Sequence, residues 1–167
     1  MSTLLAITES LENSRVGIAI AEGRYAFPII EGIHLIGLSV AVGLIMLIDL
    51  RLIGVFLQDI PVKKLHGQLQ PYVLGGFAVV ILAGCLLFTS EATAVIASPP
   101  WPFKAFFLML GGANALYFEF VIARRPQALP DYGRLPGSVR GAGIASMVLW
   151  TLVIICGRLI PYIPKWT

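Results

Sequence analysis

The sequence predicts an all-α integral membrane protein: four transmembrane helices in an up-down bundle, preceded by an N-terminal amphipathic surface helix. Three observations carry this prediction. The chain of 167 residues is 57% hydrophobic and only 13% charged, whereas a soluble domain carries about 25% charge. Four apolar stretches each reach the roughly 20 residues needed to cross hydrocarbon. Helix-breaking prolines, among them Pro61, Pro71, Pro126, Pro130 and Pro136, are expected outside those stretches.

Residues 1–24 form the first expected element. Over Ser2 to Ile20, Leu4, Leu5, Leu11 and Ile18 can face lipid while Glu9, Glu12, Asn13 and Arg15 face water. Such a helix lies on the membrane surface. The opening "MSTLLAITESLENSR" lacks a basic start, and Thr8, Glu9 and Ser10 break its apolar run, so it does not read as a cleavable signal. Residues 25–167 form the transmembrane domain. Its spans are placed at about 28–56, 72–96, 103–123 and 142–163. Pro28 suits a first helical position. "SPPWP" (Ser98 to Pro102) ends the second span and starts the third.

Four spans put both termini on one side, here side A, and the loops 49–71 and 124–141 on side B. Side B holds seven basic residues, Arg51, Lys63, Lys64, Arg124, Arg125, Arg134 and Arg140, against five on side A. Lys63, Lys64, Arg124 and Arg125 lie near span ends, where positive charge marks the cytoplasm. The expected placement is a bacterial inner membrane with both termini periplasmic. Trp101, Tyr162 and Trp166 would form the outer aromatic belt. The scattered basic residues do not describe a nucleic-acid surface. No nucleophile–base pair, Gly-rich phosphate loop or Walker pattern appears, and Cys85 and Cys156 have no CxxC neighbour.

The stretch "YAFPIIEGIHLIGLSVAVGLIMLIDLRL" (Tyr25 to Leu52) nevertheless places Glu31 and His34 one turn apart inside a span. Ionisable groups at such depth are costly and mark function. Lys104 and Arg158 fall within about two turns of side A, so these four side chains can gather in one leaflet. Such an imidazole can ligate haem iron, ligate another metal, or relay protons. The haem reading also gives work to the cations. His34 would be the axial ligand, Gly37 would let the plate lie against the helix, and Lys104 and Arg158 would meet the propionates. Glu31 would orient His34. His66, on the side-B loop after "VKKL", is separated from His34 by the length of a helix. It is a solvated loop residue or, as a minor alternative, the ligand of a second haem. The sixth iron ligand would then be Lys104, a group from a second subunit, or nothing.

Glu31 and His34 also match the Glu-x-x-His spacing of di-metal sites, which a single copy cannot complete. A copper or iron site shared across subunits is therefore the first rival. The second is a cofactor-free structural or pore-forming oligomer built on the same polar cluster. The remaining charges read as local partners: Asp49 with Arg51 at the span end, and Glu119 with Arg124 or Arg125. Asn114 is expected to hydrogen-bond to another helix.

The segments Arg24 to Gly54, "PYVLGGFAVVILAGCLLF" (Pro71 to Phe88) and "PFKAFFLMLGGANALYF" (Pro102 to Phe118) resemble a family of small bacterial inner-membrane proteins of unknown function. The likeness rests on Pro28, Glu31 and His34, the Asp49–Leu50–Arg51 run, Gly54, Pro71, Gly76, Gly84 and Lys104, and covers nearly the whole chain. Its four-helix layout is similar to copper-resistance-D and cytochrome b561-like membrane proteins, which implies haem b. It stresses Glu31, His34 and Lys104 and does not include His66. The expected activity is electron transfer or haem-based redox or gas sensing by an electron carrier or sensor rather than an enzyme. The expected partners are the lipid bilayer, a second copy of the chain in a homo-oligomer, and an unknown redox partner.

Overall fold

A computed structural model describes residues 2–124 and 135–163. Arg125, Pro126, Pro130, Arg134, Lys165 and Trp166 lie outside the described residues. Seven α-helices are described: α1 (Ser2–Glu12), α2 (Arg15–Glu22), α3 (Ala26–Ile53), α4 (Val62–Ser90), α5 (Ala92–Ile96), α6 (Pro100–Tyr117) and α7 (Gly137–Leu159). A π-helical turn, Phe118–Ile122, prolongs α6. Four helices are long and apolar enough to cross a membrane: Ala26–Ile53, Val62–Ser90, Pro100–Ile122 and Gly137–Leu159.

The boundaries correct the sequence reading in several places. Pro71 lies inside α4, not before it. A proline there removes one backbone bond, which a helix held along its length by a neighbour tolerates. His66 consequently belongs to a helix and not to a loop. The second span stops at Ser90, and α5 is a separate short turn. The expected N-terminal helix is two helices. Ser14 ends the first and caps the second, its Oγ accepting from Gly17 N at 3.1 Å. The chain doubles back so tightly that a Cβ on Gly17 would fall 2.5 Å from Glu12 O. Glu12 does not face water. Its carboxylate accepts from Thr93 N at 2.8 Å and Thr93 Oγ1 at 3.0 Å, tying α1 to α5.

The spans alternate in direction, as facing residues show. Between α3 and α4, His34 meets Gly84, Gly37 meets Val80, and Ala41 meets Gly76. Between α6 and α7, Lys104 meets Gly157 and Gly111 meets Trp150, and Asn114 Nδ2 donates to Ala142 O at 3.1 Å, as expected. Between α3 and α7, Gly143 meets Leu52 and the Asp49 carbonyl. The α3–α4 crossing is close because its residues are small: a Cβ on Gly76 would lie 3.0 Å from Ala41 Cβ. The helices pack in the order α4–α3–α7–α6. No Cα of α4 comes within 8 Å of α6, so this side is bridged by side chains. Phe88 stacks on Trp101 at 5.3 Å near side A, and Phe77 meets Trp150 of α7 at 4.8 Å further in.

At side B, Gly54 ends α3 in the left-handed region, φ 85°, where its N–H reaches back to Leu50 O and Arg51 O. Two cations bind nearby carbonyls: Arg51 Nε donates to Ile60 O at 2.7 Å and Arg140 Nε to Ile53 O at 3.1 Å. The expected Asp49–Arg51 pair is not formed, because residues two apart on a helix point to different sides. Asp49 turns into the α3–α7 seam instead. Glu119 also departs from expectation. Its Oε2 lies 3.4 Å from His66 Nε2, while Arg124 sits over the Phe120 ring at 4.8 Å. Five residues separate Glu119 from Arg124, whereas neighbours on a helix face are three or four apart.

Candidate functional site

The interior face of α3 is a stripe at helical spacing: His34, Leu38, Val42, Ile45 and Asp49. Val42 shares one buried cluster with Trp150 and Val153 of α7, and Leu38 and Ile45 pack against it. The stripe is apolar in the middle and polar at both ends. His34 therefore points into the bundle, as do the residues one and two turns below it.

The imidazole is fixed by α4. Gly84 leaves a notch: a Cβ there would come 3.1 Å from His34 Cε1 and 3.4 Å from Nδ1. His34 Nδ1 lies 2.9 Å from the Val80 carbonyl oxygen. A carbonyl only accepts, so Nδ1 carries the hydrogen, and in the neutral ring Nε2 keeps the lone pair. Nε2 has no hydrogen-bond partner among the described residues. A backbone carbonyl holding Nδ1–H is the arrangement that orients a ligating histidine.

Lys104 enters from the other side of the bundle. Its side chain runs along α7, where a Cβ on Gly157 would lie 3.3 Å from its Cε and 3.4 Å from Nζ. Lys104 and Glu31 are both close enough to His34 for a charge–charge interaction. The depths agree. Gly143 of α7 meets Leu52 and the Asp49 carbonyl of α3. His34 lies fifteen residues from Asp49 toward side A, and Gly157 fourteen from Gly143, so at 1.5 Å per residue their depths agree to about one turn. His34, Gly84, Lys104 and Gly157 thus occupy one layer, with Glu31 about a turn nearer side A.

Two predicted members stand apart. Arg158 is exposed, and its Nη2 donates to Tyr162 Oη at 3.0 Å, with the guanidinium over the same ring. Gly37 does not leave an open surface. A Cβ there would lie 3.1 Å from Val79 and 3.2 Å from Val80, so this glycine serves the α3–α4 crossing. His66 is held by Glu119 and packs on Phe118 with ring centroids 5.6 Å apart. It is eighteen residues from Gly84 along α4, about 27 Å. The two histidines cannot meet one iron within a chain.

Sequence reasoning missed Val80 and Gly157 as parts of the site, and it named Gly84 only as a small residue on a facing helix, not as the seat of the imidazole. Gly84 and Gly157 carry a weak signal, as small residues at the depth of an intramembrane imidazole and lysine. Val80 carries none, because it contributes only a carbonyl. Among the described residues, no three His, Cys, Asp or Glu side chains gather as a metal site.

These features bear on whether the residues suit a haem. A haem supplies its own equatorial nitrogens and asks the protein for one axial base, which an oriented Nε2 meets. Lys104 at the same depth suits an acidic edge. A bare metal ion would need more ligands than one chain brings together here.

The chain belongs to the family described as "Family of unknown function (DUF6644)", whose model matches residues 12–163. No curated protein and no solved structure matches. The likeness to copper-resistance-D and cytochrome b561-like proteins receives no support from these comparisons.

Proposed function

We propose that this protein is a membrane-embedded b-type haem protein, with His34 Nε2 as the axial ligand and Lys104 as the cation for a propionate. The observation that carries the proposal is the Nδ1–Val80 bond, which leaves the second ring nitrogen as a lone-pair donor on the interior face. A bound haem would supply one-electron transfer or a gas-binding iron. Glu31 lies three residues before His34, on the same side of α3. Arg158, already at the boundary with Tyr162, would reach a propionate only at the site's rim. With Lys104 given to a propionate, any further ligand would come from a second copy of the chain or from a diatomic molecule. The protein acts in a bacterial inner membrane with both termini periplasmic, as a homo-oligomer. Its α1–α2 pair lies at the lipid surface, where Leu4, Leu5, Ile7 and Leu11 are exposed.

A second reading is favoured by the same bond. His34, seated against Gly84 and bound to Val80, can act as a cofactor-free lock between α3 and α4. The test uses the purified chain with added haem, scanned oxidised and reduced, as wild type, His34→Ala and His34→Gln. Glutamine keeps a donor for Val80 and is a poor haem ligand. The haem reading expects a Soret band whose position and redox shift are lost in both variants, with His34→Gln still folded. A wild type without a specific Soret band, or a band unchanged in both variants, overturns the proposal. Loss of stability in His34→Ala, regained in His34→Gln and unaccompanied by any haem signal, establishes the lock.

A further inference from the structure

The other polar end of the α3 stripe is Asp49. It lies fifteen residues from His34, about 22 Å toward side B, and no part of the reading above uses it. Asp49 is only 4% exposed. Its Oδ2 is buried with no hydrogen-bond partner among the described residues. On α7, the buried hydroxyl on the face that Gly143 turns toward Asp49 is Ser146, three residues on and itself 7% exposed. Gly143 brings α7 this near, since a Cβ there would fall 3.1 Å from Leu52 Cβ and 3.3 Å from Asp49 O.

The charged groups around this position are engaged elsewhere. On α3, Arg51 donates to Ile60 O. On α7, Arg140 donates to Ile53 O. On α4, His66 is paired with Glu119 of the π-helical turn, and Lys63 and Lys64 are exposed. No ion pair to Asp49 forms among the described residues. An ionised carboxylate sealed in such a place, without a cation and with one oxygen unpartnered, is strongly unfavourable. One carboxyl and one hydroxyl are also too few oxygens for a hard metal cation. A neutral carboxylic acid fits, since it is both donor and acceptor and the serine hydroxyl answers either role.

We infer that Asp49 is a proton-binding site: a carboxylic acid held on the α3–α7 seam with Ser146 as its hydrogen-bonding partner. Releasing the proton leaves an uncompensated charge between two packed helices. Among the described residues, Arg51 and Arg140 are cations at this end of the bundle, and to compensate the charge each would have to leave its carbonyl. Proton occupancy and α3–α7 packing at side B are therefore coupled. The inference is independent of what His34 holds.

The test is infrared spectroscopy of the full chain in lipid nanodiscs at neutral pH. The wild type is expected to show a protonated-carboxyl stretch that is lost in Asp49→Asn and kept in Asp49→Glu. In Ser146→Ala the band should shift in frequency, because its hydrogen bond changes. Asp49→Asn replaces one neutral group with another and should melt at the wild-type temperature. The inference is overturned if no such band exists, if the band survives in Asp49→Asn, or if it is unmoved in Ser146→Ala. Should Asp49→Asn fail to fold, the charge at this position is essential and the inference also fails.

Discussion

Gly84→Val perturbs the site at its seat. The glycine leaves room for the His34 ring, and an ideal Cβ already lies 3.1 Å from Cε1. Valine adds two further methyl groups on the same helix face, so the ring cannot stay. Leaving its place breaks the 2.9 Å bond to the Val80 carbonyl. Hydrogen bonds between membrane helices contribute about 0.6 kcal/mol on average and about 1.7 at most. Overpacking a well-filled contact costs about 1–3 kcal/mol. The substitution is therefore expected to destabilise the protein by about 2–4 kcal/mol. Reversible unfolding in mixed micelles measures this, with Gly75→Val as the control, since nothing lies within 4 Å of a Cβ on Gly75. The two positions are also expected to couple. In a His34→Ala background the ring is gone, and Gly84→Val should lose at least about 1 kcal/mol of its effect. Strict additivity, or a Gly75→Val as damaging as Gly84→Val, would refute the geometry.

Three further outcomes follow from the same structure. Arg51→Met removes the bond to Ile60 O from a residue that is 2% exposed, and should cost about 1.5–3 kcal/mol in the same unfolding assay. Arg51→Lys should recover little of this, because the bond is made by Nε. His66→Gln breaks a pair whose glutamate is 38% exposed, so stability should change by no more than about 1 kcal/mol; any haem spectrum should be unaltered, which spectroscopy of the variant checks. Glu12→Ala removes the acceptor for both Thr93 donors and should release α1 from α5, read as faster amide hydrogen exchange over residues 2–12 and 92–96 with α3 unchanged.

Hydropathy made the spans legible, because hydrocarbon leaves a helix few alternatives and twenty apolar residues in a row announce one. The expectation for Pro71 failed for the same reason it looked safe. Proline breaks isolated helices, but neighbours hold α4 along its length, and composition does not report neighbours. His34 was legible as a charge-bearing residue where charge is expensive. Its orientation was less so, because α3 is apolar on every face, with Ile33, Ile36 and Val40 exposed and Val42 buried. The bond that fixes its tautomer was not, since every residue has a carbonyl and none advertises which one will be met. Gly37 and Gly84 look alike in sequence. One sits under two valines and the other under the imidazole, a difference set by the crossing of α3 and α4. Asp49 and Arg51 read as a pair from proximity in the chain. The helical angle between them sends one into the seam and the other to a loop carbonyl. For Glu119, the partner comes from another helix, His66 of α4, and spacing along one helix does not report it.

The most direct test of the central claim is nitrogen NMR of histidine-labelled protein. The chain has two histidines, so a His66→Gln sample leaves His34 alone. Its spectrum should show Nδ1 protonated and Nε2 unprotonated in the haem-free protein, with the Nε2 signal displaced or broadened more than that of Nδ1 when haem is added. A hydrogen on Nε2 in the neutral ring, or a spectrum unmoved by haem, would contradict the assignment of His34 as an oriented axial ligand.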